Sequence, residues 1–102
     1  MIPITPTIAI DESEIEESFI KASGPGGQHV NTTSTAVQIR FDARRSRSLP
    51  DDVAVRLMRL AGSRLNEAGV IVITARSHRS QQRNREEARE RLVELIRQAA
   101  VK

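Results

Sequence analysis

The 102 residues contain no cysteine, no tryptophan and no tyrosine, and only two aromatic side chains, Phe19 and Phe41. Without cysteine there is no disulfide, no thiolate nucleophile and no zinc–thiolate site, which fits a reducing compartment. With so few rings, stacking of splayed bases on aromatics cannot be the main way of holding a nucleic acid. No apolar run approaches the length of a membrane span, and the N-terminus lacks the basic-then-apolar plan of a secretory signal. Conventional catalytic signatures are missing as well. His29 and His78 do not have helical metal-ligand spacing, there is no His-Glu-x-x-His or Gly-x-Ser-x-Gly, and GPGGQ lacks the Lys-Ser/Thr of a P-loop. No metal, cofactor or membrane partner is expected.

What is present is an uneven distribution of charge. Asp11, Glu12, Glu14, Glu16 and Glu17 all precede Lys21, an acidic opening that argues against a mitochondrial transit peptide. From Lys21 onward sixteen basic residues face eight acidic ones, and fourteen of the sixteen are arginine. Arginine suits bidentate phosphate recognition, so a polyanionic partner is expected, RNA first among them. Binding through phosphates is sensitive to salt and weak in sequence preference. A solvated arginine-rich surface is the competing reading, and it suits the final helix. The length is that of one domain, residues 1–102, which hides roughly two-thirds of the surface its unfolded chain exposes.

Pro3 and Pro6 make the first eleven residues extended or irregular. Ile15 to Ala22 reads as a strand with apolar contact from Phe19 and Ile20. Ala36 to Asp42 alternates, with Val37, Ile39 and Phe41 on one face and Gln38 and Arg40 on the other, a half-buried strand pairing antiparallel with the first. A basic loop, Ala43 to Ser48, follows. Pro50 opens a helix with Asp51 and Asp52 in its first turn, a stripe of Val53, Leu57, Leu60 and Ala61, and Gly62 as its stop. Asn66 to Gly69 is a turn, and Val70 to Ala75 is a β-branched run read as a central strand. Arg76 to Ser80 leads into a helix reaching about Ala100, with Ala88, Leu92, Leu95, Ile96 and Ala99 at helical spacing and Glu87 placed to pair with Arg83 and Arg91. The expected fold is α+β: a β-β-α-β-α domain whose mainly antiparallel sheet carries its helices on one face.

The stretch SGPGGQHVN, Ser23 to Asn31, has two readings. Gly24, Gly26 and Gly27 tolerate positive φ and Pro25 stiffens one bond, so it reads as a turn. It also belongs to a connection running to about Thr35, far longer than paired strands need, and long loops are disproportionately functional. Two residues without side chains directly before Gln28 present bare backbone N–H groups and one amide.

SGPGGQHVN followed by STAVQIRFD resembles the GGQ catalytic domain of the peptide-chain release factor family. The matches continue through SLP at Ser48 to Pro50, GVIVI at Gly69 to Ile73, and HRSQQRNREEA from His78 to Ala88, and so cover the chain from about Ile8. The nearest branch is that of the small, codon-independent ArfB-type (YaeJ-type) peptidyl-tRNA hydrolases, which rescue stalled ribosomes and have no codon-reading domain.

The resemblance implies ribosome-dependent hydrolysis of the ester between a nascent peptide and the terminal ribose of a P-site tRNA, in the peptidyl-transferase centre. The partners it implies are large-subunit rRNA and peptidyl-tRNA, with a monomer acting in the cytoplasm. Gly26, Gly27 and Gln28 match the catalytic triplet, whose glutamine works largely through its backbone N–H while its side chain helps to place water. Ser23, Gly24, Pro25 and Asn31 shape the loop. Thr33 and Ser34 are read as bonding the loop's own backbone. His29 is a loop-fixing or RNA-contacting residue. Arg44, Arg45 and Arg47 are candidates for rRNA phosphates, with solvated loop charge an equal competitor. Arg79 is a candidate RNA contact, and Arg79, Gln81, Asn84 and Arg85 are also read as anchoring the last helix. His78 has no assigned role. Two departures stand out: Thr32 replaces the family's usual lysine, and the basic tail of the rescue branch is expected to be absent or trimmed. The competing function is a non-catalytic ribosome- or RNA-binding module that retains the fold.

Overall fold

In a computed structural model, which describes residues 1–20 and 36–101, the alternating stretch around Ile39 is the centre of the molecule. Counting strands in chain order, β1 (Ile2–Thr5) and β2 (Ile8–Ile10) form a hairpin, and β3 (Ile15–Ile20), β4 (Ala36–Asp42) and β5 (Val70–Ala75) form an antiparallel sheet in that order. Helix α1 (Asp51–Ala61) lies between β4 and β5, and α2 (Gln81–Ala100) closes the chain. The register sets Ile15 opposite Phe41 opposite Ile71, Glu17 opposite Ile39 opposite Ile73, and Phe19 opposite Val37 opposite Ala75. These residues share the face on which α2 packs, and α1 packs in turn on α2. The helices are on one side, as expected. Gln38 and Arg40 point to the other, where Gln38 donates to Thr74 at 3.3 Å.

Each helix is delimited by chemistry legible in its sequence. Pro50 precedes α1, whose first turn carries Asp51 and Asp52 and whose end is Gly62 at φ 55°. Its buried stripe is Val53, Ala54, Leu57 and Ala61, while Leu60, expected in that stripe, is exposed. Ser80 caps α2 by accepting from the Arg83 N–H at 3.2 Å. Ala88, Leu92, Ile96 and Ala99 are fully buried, and Leu95 sits at the margin of the core. At about 1.5–3 kcal/mol for each large apolar side chain hidden from water, this stripe holds the helix in place. At the far end of α2 the Arg56 guanidinium donates to the Ala99 carbonyl at 2.6 Å, placing a cation where the helix dipole favours one.

Two expectations are corrected. The N-terminal stretch is a hairpin, so the order is β-β-β-β-α-β-α. Pro3 is tolerated because a two-stranded ribbon leaves half of its N–H groups unpaired, and Pro6 falls in the turn, where Thr5 Oγ1 accepts from Thr7 and Ile8. Ile4, Ile8 and Ile10 are buried in the common core. Second, β5 is an edge strand, not a central one. Among the described residues its outer edge meets a bridge between Ile71 and Leu65, with the Asn66 N–H donating to the Val70 carbonyl and Arg91 to the Thr74 carbonyl. Its apolar run is explained by position: Ile71, Ile73 and Ala75 fill the core, while Val70, Val72 and Thr74 stay half-buried on the open face.

Candidate functional site

The β3–β4 hairpin ends at the pair Ile20 and Ala36, and residues 21–35 join these two positions. Ser23, Gly24, Pro25, Gly26, Gly27, Gln28, His29, Asn31, Thr32, Thr33 and Ser34 therefore lie outside the described residues. What is described is the platform they spring from. At the same end of the sheet Ala75 closes β5 opposite Val37, and residues 76–80 cross to the start of α2.

That crossing is fastened from beneath. Asn84 is fully buried; its Oδ1 accepts from the His78 N–H and its Nδ2 donates to the His78 carbonyl, both at 2.9 Å. An amide there replaces the ladder partners that the backbone lost on leaving β5. Glu87, one turn on, accepts from Ser77 Oγ at 2.7 Å and from His78 Nε2 at 3.0 Å, and pairs with Arg91. Arg91 also donates to the Thr74 carbonyl at 3.3 Å. The Ser77 hydrogen bond, opposed by partial burial and aided by Arg91 and His78, holds the Glu87 carboxyl below its ordinary value. The expected Glu87–Arg91 pair is present; Arg83 does not join it.

A second fastening ties α2 to β3. Glu17 lies on the helix-facing side and accepts from Arg85 Nε at 3.0 Å and Arg89 Nε at 2.8 Å. Burial works against its charge, but the bonds from Arg85 and Arg89 outweigh it, so its carboxyl is held below the usual range. The anchoring role expected of Asn84 and Arg85 is thus observed. Arg79 and Gln81 differ: both side chains are exposed, with no hydrogen bond or ion pair among the described residues. Glu17 escaped the sequence reading because it sits inside an acidic run. Its signal was an acid at the inward period of a strand, with Arg85 and Arg89 one helical turn apart on α2.

The candidate RNA-binding arginines occupy opposite ends of the sheet. Arg79, with Arg76, lies at the end that bears residues 21–35, both exposed. Arg44, Arg45 and Arg47 follow β4 at its other end, about 20 Å away along the strand at 3.4 Å per residue. There Arg45 pairs with Asp42 at 3.4 Å and Arg44 lies across Gly69, while Arg47 is exposed. Glu14 accepts from Ser46 and Ser48 and so holds that loop against the hairpin side of the core. Burial opposes the Glu14 charge, yet the two serines together hold its carboxyl below the ordinary value. Among the described residues no group of three or more His, Asp or Glu is arranged to hold a metal ion. A concavity of about 730 Å³ runs along α2 from Glu87 to Arg97 beside Arg64, under charges of both signs.

The description RF-1 domain matches residues 4–102, nearly the whole chain. The chain belongs to the RF-1 domain family. Among its relatives is the peptidyl-tRNA hydrolase ArfB of Pseudomonas putida, 44% identical over 96 residues, a match covering 94% of this chain and 69% of that protein. The large ribosomal subunit protein mL62 of Mus musculus is 30% identical over 83 residues, 81% of this chain and 40% of that one. Peptide chain release factor 1 of Sorangium cellulosum is 37% identical over 82 residues, 79% of this chain and 21% of the factor. The match thus covers well under half of the last two proteins and about two thirds of the first.

Proposed function

We infer that this RF-1 domain is a ribosome-dependent peptidyl-tRNA hydrolase that releases the nascent chain from stalled ribosomes without reading a codon. The observation that carries the reading is the 44% identity to peptidyl-tRNA hydrolase ArfB across 94% of the chain, which keeps GGQ intact at Gly26 to Gln28. The chain acts as one domain, residues 1–102, and as a monomer. Its partners are the rRNA of the large subunit and peptidyl-tRNA in the P site, and its place of action is the cytoplasm.

The chemistry asks little of the protein's side chains. A water attacks the ester carbonyl, the bond to the terminal ribose oxygen breaks, and that oxygen takes up a proton as it leaves. rRNA and the neighbouring ribose hydroxyl manage the protons. The protein's part is to position water and stabilise developing charge. The backbone N–H of Gln28 donates to the forming oxyanion and its amide orients the water. Gly26 and Gly27 leave the backbone bare enough to approach. Ser23, Gly24, Pro25 and Asn31 hold the loop's shape, and His29, Arg44, Arg45, Arg47 and Arg79 contact RNA. A general base is not needed on this chain, which agrees with the absence of one from the sequence motifs. The platform serves this chemistry by rigidity: β3 and residues 76–80 are both tied to α2, through Glu17, Asn84 and Glu87.

The test is peptide release from ribosomes stalled with no codon in the A site, using the full-length protein. Wild type releases; Gly27→Ala and Gln28→Ala bind but do not release. Equal release by the two variants removes the catalytic role from the loop.

A further inference from the structure

Phe19 is an exception on its own sheet face. The other large apolar side chains that the strands place there, Ile15, Val37, Ile39, Phe41, Ile71 and Ile73, are buried. Phe19 shares that face, opposite Val37, yet is 58% exposed. It is also the last inward-facing residue of β3 before residues 21–35. Across β4 from it, Ala75 leads to Arg76 and Arg79, exposed cations with no acidic partner among the described residues. Two strand spacings separate the ring from Ala75, about 10 Å, within the span of a dinucleotide.

The acids nearest this end are engaged, while Glu90, which borders His78 and Glu87 further along α2, is exposed. Glu17 is taken by Arg85 and Arg89, Glu87 by Ser77, His78 and Arg91, and Glu86 accepts from Gln82. Glu16 projects from the opposite face of β3. An aromatic ring and two unneutralised guanidinium groups are left at one rim, which complements a nucleotide's flat base and its phosphates. A protein partner with an apolar surface would match the ring but not the cations.

We propose that Phe19 is an RNA contact: its ring stacks on an unpaired nucleobase while Arg76 and Arg79 take the flanking phosphates. This rests on the reading of the chain as a ribosome-bound hydrolase and adds to it a contact made outside the GGQ triplet. The ring answers the objection that two aromatics are too few, since one stack at the rim orients the domain while phosphates supply most of the affinity.

The experiment measures ribosome affinity over a salt series, with peptide release recorded in parallel. Phe19→Ala is expected to weaken binding roughly five- to a hundredfold at every salt concentration, leaving the salt dependence unchanged. Phe19→Tyr retains binding, and Phe19→Leu, which keeps apolar bulk without a ring face, loses it as Ala does. Arg76→Ala and Arg79→Ala each lower the slope of log affinity against log salt by about one. A photoreactive phenylalanine analogue at position 19 cross-links to RNA. Wild-type affinity for Phe19→Ala or Phe19→Leu, or cross-links to ribosomal protein alone, overturns the assignment. Failure of wild type to bind or release fails the hydrolase reading and this inference together; wild-type function with an indifferent Phe19 fails only the inference. Thermal melts accompany each variant, and an exposed position is expected to leave them unchanged.

Discussion

Replacing Asn84 tests whether the crossing that precedes α2 is held by one amide. The side chain is fully buried and answers both the N–H and the carbonyl of His78 at 2.9 Å. Asn84→Ala leaves two backbone groups without their partner, each about 1 kcal/mol at the low end of the range because half-buried His78 lets water reach them. A small void adds up to about 1 kcal/mol, so the expected loss is about 2–3 kcal/mol. For a domain of this size that is a fall in melting temperature of about 10–20 °C. Asn84→Leu fills the space without restoring either bond, and is expected to lose at least as much. Asn84→Asp accepts from the N–H as before but offers a hydrogen to the carbonyl only when protonated. Its folded-state pKa is therefore raised, and the variant should be closest to wild type at low pH and fall away as pH rises above the ordinary aspartate value. The assays are thermal and urea unfolding by circular dichroism across pH, together with hydrogen exchange at the His78 amide. That amide should exchange far faster in Asn84→Ala, while Ile39 in the central strand changes only with global stability. An Asn84→Leu protein as stable as wild type refutes the reasoning.

The Glu17 clamp predicts a loss of about 1 kcal/mol for Glu17→Gln, measured by urea unfolding at neutral pH, since the bonds from Arg85 and Arg89 are charge-assisted but partly open to solvent. Because the Glu17 and Glu14 carboxyls are held below their ordinary value in the folded state, their contribution is complete above about 4.5. It is lost as pH falls through the lower folded value, and Glu17→Gln should flatten that part of the acid-unfolding curve. Gly69 stands at φ +85°, and a Cβ there would come within 2.7 Å of Arg44 Cβ, whereas Gly62 at φ +55° has open space around it. Gly69→Ala should therefore destabilise by about 2 kcal/mol or more and Gly62→Ala by only about 1 kcal/mol, by thermal melting; equal effects would mean that the Arg44 contact relaxes at no cost.

Much of the fold was legible because its local signals agree with its packing. The alternation of Val37, Ile39 and Phe41 is the central strand. Pro50 with Asp51 and Asp52 starts α1, Gly62 stops it, and the Ala88 to Ala99 stripe is the buried face of α2. The failures have specific physical causes. Pro3 and Pro6 masked a hairpin whose isoleucine alternation was present in the sequence, since a turn and an exposed edge do not require the donors that proline lacks. The apolar run of β5 does not distinguish a central strand from an edge half-covered on its open face. Phe19 and Leu60 carry the right period but are exposed, because period reports a face and not what covers it. For the site, Asn84 and Arg85 were expected as anchors and found so. Glu17 and the separation of Arg79 from Arg44, Arg45 and Arg47 depend on strand register and could not be read along the chain. The triplet Gly26, Gly27 and Gln28 was singled out through its resemblance to the release factor family, and it lies outside the described residues.

The account is tested most directly by single-turnover release of labelled peptide from ribosomes whose A site lacks a codon, with saturating full-length protein. Wild type should release the peptide at a rate that saturates with protein concentration. Gln28→Pro, which removes the backbone N–H assigned to the oxyanion, should bind the same ribosomes and leave the ester intact. Wild-type protein that binds with salt-sensitive affinity and never releases peptide would contradict the account and leave a ribosome-binding module in place of a hydrolase.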